Sequence, residues 1–316
     1  MDGPYRYFGC TRVPITGGLT PSCVVTSAPP STTRATGWAL VGLLVVAAAW
    51  GSSFPLTKVL LGSMSALNFL AVRFALAAIV MAAVFFPALR RLGRRAVVRG
   101  LWLGLAYGAA QIVQTIGLQY TPASVSGFIT WMYVVLTPLL AAMLLHTRIA
   151  PRVWVGAAVA AVGLAVLGLN GLSIGFGETI TLVSAAIYAV HIVGLGAWAT
   201  AKEAVELAVV QMIMTGAVCM AGALIVEGGV TLPTTGFDWL AIAYMAVVSG
   251  AVAMIVQSWD QAHLAPSRAA IIMSTEPACA APRAGCAGLR MIGSSYPAGC
   301  SAAGPYRDDL GAAALR

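Results

Sequence analysis

Trp50-Gly51-Ser52-Ser53-Phe54-Pro55-Leu56-Thr57-Lys58, followed shortly by Asn68-Phe69-Leu70-Ala71-Val72-Arg73-Phe74, decides how the rest of the chain is read. The stretch is the end of one apolar helix, a short turn and the start of a second, with one basic residue, Lys58 or Arg73, on each arm. It also has an echo. A shift of 138 residues lays Tyr188 on Trp50, His191 on Ser53, Ile192 on Phe54 and Gln211 on Arg73. A shift of 143 then lays Gln257-Ser258 on Gln114-Thr115, Ser267 on Ser124, Ile272 on Ile129 and Glu276 on Tyr133. The five extra residues fit in the loop from Glu227 to Pro233. Two constant offsets separated by one insertion point to a duplicated unit.

Of the 316 residues, 59% are apolar and only 9% are charged. Soluble domains carry roughly a quarter charged residues, so the chain is expected to be an all-α integral membrane protein. Continuous apolar runs lie at 38–57, 67–86, 100–118, 124–145, 153–170, 177–199, 206–226 and 237–257, and a ninth begins near Arg268. Most approach the roughly 20 residues that cross hydrocarbon as a helix. The short alternating segments of a β-barrel are not seen. The net charge of +8 is no nucleic-acid footprint, because Arg90, Arg91, Arg94, Arg95 and Arg99 crowd one span end, where positive charge sets topology. By that rule the 90–99 cluster, His146 to Arg152 and the N-terminus are cytoplasmic, and the loops at 171–176 and 227–236 are outside. Each unit then holds five spans, an odd number, so the second enters the membrane upside down. Inverted repeats place a substrate site near the midplane between the halves.

Residues 1–37, rich in Thr, Pro, Ser and Gly, are expected to be a disordered cytoplasmic tail, or else translation starts later, near Val24 or Val25. No basic start and apolar core mark them as a signal peptide. Cys10, Cys23, Cys279, Cys286 and Cys300 lie outside the apolar body and Cys219 within it, with no Cys-x-x-Cys pair, which is neither a disulfide framework nor a zinc pattern. His146, His191 and His263 are far apart, and neither a nucleophile elbow nor a phosphate-binding glycine loop occurs. No cofactor is expected.

Arg73 is either a contact for an anionic or zwitterionic substrate or a structural arginine that snorkels outward or meets helix-end carbonyls. Lys58, after Pro55, is either bent toward a central cavity or snorkelled to the outer surface. Glu276 is a carboxylate that can exchange a proton, or a partner for Lys58 or Arg73. Gln111, Gln114, Gln257 and His191 bind a ligand or hold helices together. Trp50, Trp131 and Tyr133 are candidates to line a cavity, while Trp102, Trp154 and Trp239 look like interfacial anchors.

At Ala49-Trp50-Gly51-Ser52-Ser53-Phe54, at Leu67 to Phe74, at Thr121 to Thr130, at Ala265 to Ala270 and at Ser274-Thr275-Glu276-Pro277, the chain resembles the EamA family of the drug/metabolite transporter superfamily. The resemblance implies a ten-helix inner-membrane carrier of two inverted five-helix repeats, usually exporting amino acids or other small metabolites. On it, residues 38–170 form the first repeat and 177–281 an incomplete second one of about four spans. The ninth helix is cut short and the tenth is missing. Residues 282–316 form a non-membrane tail, since their prolines and charges oppose a membrane helix. The Ala, Gly, Pro, Arg and Cys bias of that tail is what GC-rich codons give when read out of frame, and a frameshift close to codon 278 is the expectation. The expected partners are the bilayer, a small-molecule substrate and a proton as candidate coupling ion, with no nucleic acid. The substrate contacts expected are Trp50, Arg73, Gln114, Tyr133, His191, Gln257 and Glu276. The rival readings are an inactive, truncated membrane protein and an intramembrane hydrolase.

Overall fold

Ser65 opens the second helix by accepting from the Asn68 amide, and from there helix follows helix. The structure, a computed structural model, describes residues 33–90, 92–145, 155, 158, 159, 162 and 175–263. Its elements are α1 (Thr33–Leu60), α2 (Ala66–Val84), the short α3 (Phe86–Leu89), α4 (Arg94–Tyr120), α5 (Ala123–Thr130), α6 (Tyr133–Leu145), α7 (Phe176–Trp198), α8 (Ala204–Val226), α9 (Gly236–Tyr244), a π-helical segment (Met245–Val252) and α10 (Ala253–His263). Among the described residues there is no strand, and seven helical stretches are long and apolar enough to cross a membrane. Their outer faces expose Val45, Ile79, Trp102, Val183 and Ile225, a surface suited to lipid rather than water.

Several boundaries differ from the sequence reading. The first helix begins at Thr33, before the expected start at 38. The third begins at Arg94, so Arg94, Arg95 and Arg99 stand on helix rather than in a loop. The fourth span is broken at Trp131-Met132 into α5 and α6, and the eighth runs on to His263. Hydropathy cannot see these ends, because helical hydrogen bonding continues past the apolar run. Most of the fifth span, most of residues 1–37, the ninth span with Glu276, and residues 278–316 lie outside the described residues.

Contacts fix the helix directions. The carboxyl of Asp260 lies by Gly42, Ser249 bonds Ala49 and Tyr244 bonds Ser52, so α1 is antiparallel to the Gly236–His263 stretch. Leu103 meets Gly194 and Gly117 meets Gly177, making α4 antiparallel to α7. Gly100 faces Val210, Gly104 faces Gln211 and Gly108 faces Val218, so α4 runs parallel to α8. At the opposite end, Glu227 accepts from Ser65 and Asn68 while Asn68 accepts from the Thr231 amide, tying the start of α2 to the end of α8. These two helices are antiparallel. Their shared core is centred on Phe69, Leu70, Phe74, Tyr107, Tyr188, Met212 and Met245.

Glycine sets the spacing of α4 against α8. A Cβ at Gly104 would sit 2.7 Å from Met214 Cβ, 3.0 Å from Gln211 Cα and closer still to the Gln211 carbonyl. The two Gln211 atoms are backbone, and a Cβ moves only with its own backbone, so none of these neighbours can turn aside. Lys58 holds another seam, donating to the carbonyls of Leu118, Gln119 and Thr121 at 2.6, 3.0 and 3.0 Å. These are orphan carbonyls at the negative end of α4, where a cation is favourable.

In detergent-purified protein, Gly104→Ala should lower the unfolding free energy by about 1–3 kcal/mol, the usual cost of overpacking. Gly229→Ala, whose Cβ would have nothing within 4 Å, should leave the transition in place. Lys58→Met should cost about 1.5–3 kcal/mol, the range for hydrogen bonds to charged groups, and an unchanged transition would show that Lys58 does not hold the seam.

Candidate functional site

On α1, Trp50, Ser53, Phe54 and Thr57 fall on one helical face by their spacing. On α4, Tyr107, Gln111, Gln114, Thr115 and Leu118 do the same. These two faces, with Arg73 of α2, Thr130 and Tyr133 beside the α5–α6 break, Tyr188, His191 and Ile192 of α7 and Gln257 of α10, line one cavity of about 50 Å³. That is room for roughly four waters.

Six of the seven expected contacts, Trp50, Arg73, Gln114, Tyr133, His191 and Gln257, therefore stand together. Glu276 lies outside the described residues. The offsets seen in the sequence reappear here. Trp50 and Tyr188, Ser53 and His191, Phe54 and Ile192, and Gln114 and Gln257 all line the cavity, as does Arg73. Its mate Gln211 is one step behind, accepting from His191 Nε2 at 2.8 Å.

The polar groups fall into two kinds. Some are matched within the protein. Gln114 receives the Tyr188 hydroxyl at 2.9 Å and donates to Thr130 Oγ1 at 3.0 Å. Gln111 donates to the Tyr107 hydroxyl at 2.9 Å. The Trp50 indole N–H reaches the Ser249 carbonyl at 2.9 Å, so its ring faces the cavity while its donor is engaged behind it. Others are open. Arg73 is 4% exposed, so it does not snorkel outward, and among the described residues it donates to no helix-end carbonyl. Its guanidinium carbon lies 4.9 Å from the Phe74 ring centroid and 5.8 Å from that of Phe69, a cation on aromatic faces. Its Nε has no hydrogen-bond partner, and no described carboxylate pairs with it. Gln257 Oε1 is likewise buried without a partner.

An aromatic wall completes the site. The Tyr107 ring centroid is 6.1 Å from Phe74, 5.9 Å from Tyr188 and 5.2 Å from His191, and Tyr133 is 6.5 Å from Tyr188. Sequence reasoning missed Tyr107, Thr57, Thr115 and Thr130 as lining residues. Tyr107 had a usable signal, since it stands four residues before Gln111 and seven before Gln114 on one apolar helix. Trp131 is not among the lining residues; it packs on Phe128 at 6.0 Å. Lys58 is not among them either. Trp102 and Trp239 are exposed, as interfacial anchors are.

Residues 37–169 and 175–284 match the EamA-like transporter family. An uncharacterized transporter of Archaeoglobus fulgidus is 31% identical over 240 residues, which is 76% of this chain and 74% of that one. A protein of known crystal structure shares the fold with a TM-score of 0.61 at 18% identity, over 84% of this chain and 91% of its own. The family match spans both halves of the helical bundle and every described residue of the cavity, so the chain belongs to the EamA-like transporter family and is a multi-pass membrane transporter.

Proposed function

We propose that the protein is a secondary carrier, driven by an ion gradient, that exports small polar metabolites such as amino acids across the inner (plasma) membrane. The observation that carries this reading is Arg73, a permanent charge buried in the cavity wall with no described carboxylate beside it. A buried cation without an anion invites one from the solute, since an unpaired interior charge is costly. Around it stand the hydroxyls and amides of Tyr107, Tyr133, Tyr188, Gln114 and Gln257, and the imidazole of His191. Glu276 is assigned to the same site from its repeat position opposite Tyr133.

The proposed architecture is two inverted repeats, 38–170 and 177–281, with the site between them. Three observations support it. Corresponding helices run oppositely: α1 against α7, α2 against α8, and α4 against the Gly236–His263 stretch. The pairing of α1 with α10 has its counterpart in that of α4 with α7. Residues matched by the two offsets meet at one cavity. The end of the bundle where α1, α4 and α8 begin carries Arg90, Arg94, Arg95, Arg99 and Lys202, which supports a cytoplasmic placement of that end and of the N-terminus.

The test starts with an efflux screen of cells expressing the chain against toxic amino acids and their analogues. For a solute so found, Arg73→Lys should retain more transport than Arg73→Gln. The Gln variant should lose about 2 kcal/mol or more of binding, a factor of roughly thirty in apparent affinity; normal transport by a normally expressed Gln variant would remove Arg73 from the site. For the topology, single cysteines at Gly93 and Gly229 are placed in a chain whose own cysteines are replaced. An impermeant thiol reagent added to intact cells should label the second and spare the first, and equal labelling would overturn the inverted arrangement.

A further inference from the structure

Outside the cavity, α10 carries a carboxylic acid for which transport through the cavity alone gives no role. Asp260 is fully buried, and neither of its carboxyl oxygens has a hydrogen-bond partner. It lies three residues beyond Gln257, which lines the cavity, and against Gly42 of α1. A Cβ at Gly42 would come 2.9 Å from Oδ2 and 3.4 Å from Oδ1, so the carboxyl rests directly on the α1 backbone. Beside it Gln261 is also fully buried, with both side-chain polar atoms unpartnered.

Among the described residues no cation answers this acid. Lys58, on α1, is engaged at the far end of that helix by the carbonyls closing α4. Arg34 stands eight residues before Gly42, about 12 Å of helix away. On α7, His191 is bonded to Gln211 and Glu178 stands at the opposite end. On α8 the ionisable groups are Glu206 and Cys219, and the π-helical segment has none. On its own helix, His263 is engaged by the Trp259 carbonyl. A carboxylate ion in such a seat would have neither donor nor counter-charge, and a dry interior does not hold it in that form. A metal cation is a poor alternative. Hard cations gather about six oxygens at one point, whereas Ser258, Asp260 and Gln261 leave the helix at angles of roughly 100° per residue and diverge.

We propose that Asp260 is a proton-binding site of the carrier, filled while α1 and α10 are closed over it and emptied when that seam opens to water. The inference rests on the carrier reading and identifies its coupling ion as a proton. The chemistry is one proton taken from water by the carboxylate and returned to water. The seam's geometry joins it to the solute site, because the helices that cover Asp260 also carry Trp50, Ser53 and Gln257 into the cavity. Opening at Gly42 therefore moves cavity residues.

The test uses the purified full-length protein and a hydrophobic carbodiimide, which modifies protonated carboxyls, with the modified residue located by mass spectrometry. Asp260 should be modified in the wild-type chain, and its modification should fall about tenfold per pH unit above the titration midpoint. Lack of modification, or modification indifferent to pH, overturns the site. This mapping needs neither a folded variant nor a transported solute, so it can fail independently of the carrier reading. In proteoliposomes, with a solute found by the efflux screen, Asp260→Asn should keep solute-for-solute exchange and lose accumulation driven by a pH gradient. Undiminished gradient-driven accumulation by Asp260→Asn would overturn the coupling role.

Discussion

Lipid tails are as apolar as leucine, so helices in a bilayer gain little by hiding leucine from them. Everything that holds this bundle together has to come from close packing and from polar groups meeting inside. The seams show both devices. Gly104 lets α4 rest on the backbone of α8, and Gly117 with Gly177 lets it rest on α7. Polar groups also cross the seams: Thr215 donates to the Gly104 carbonyl at 3.1 Å, Ser249 to the Ala49 carbonyl at 2.9 Å, and Lys58 to the end of α4. Beside these tight seams, the cavity lies where α4 and α7 face α1, α2, α10 and the α5–α6 break.

The same constraint separates matched polar groups from unmatched ones. A membrane interior penalises any polar group without a partner, so most of those in the bundle are matched. Gln114 ties α4 to α5 and α7, and His191 ties α7 to α8. Atoms of Ser126, Trp131, Ser258 and Gln261 are left unmatched, and with them Arg73 Nε, Gln257 Oε1 and both oxygens of Asp260, the three residues that bear on the cavity and the α1–α10 seam. Two of these three residues line the cavity and the third sits one turn away on α10. An arginine used only to brace helices would be expected to meet carbonyls, as Lys58 does. Arg73 instead lies on the faces of Phe69 and Phe74.

Much of the fold was legible in the sequence because its signals are long and cumulative. Apolar runs of about 20 residues announce spans, and two constant offsets announced the pairs that meet at the cavity. The candidate site was legible for a related reason, since Arg73, Gln114, His191 and Gln257 are polar residues in apolar surroundings. What escaped depends on local geometry. Tyr107 and Thr130 resemble ordinary interior residues, and only the shape of the cavity shows that they face it. Asp260 lies beyond the expected end of its span at residue 257, and the apolar pattern alone does not mark it as interior. Burial at that position depends on α1 packing over it at Gly42, a contact between residues more than 200 positions apart.

The two irregularities in the helices carry the last step. Helical breaks at membrane depth are tolerated where protein covers them or where they border a water-filled space, and π-helical turns recur at functional sites. Here the interruption at Trp131-Met132 lies between Thr130 and Tyr133, both in the cavity wall. The π-helical segment presents the Ser249 carbonyl to Trp50, whose ring is part of the same wall. Each irregularity therefore borders the cavity, and neither occurs along the α4–α8 contact, which is regular helix throughout. A bundle that must rearrange around a site needs a stiff part and a yielding part. On the carrier reading proposed above, the glycine-packed α4, α7 and α8 are expected to supply the first. The broken α5–α6 helix and the π-helical turn before α10 are then expected to supply the second, and both border the cavity that Arg73 lines.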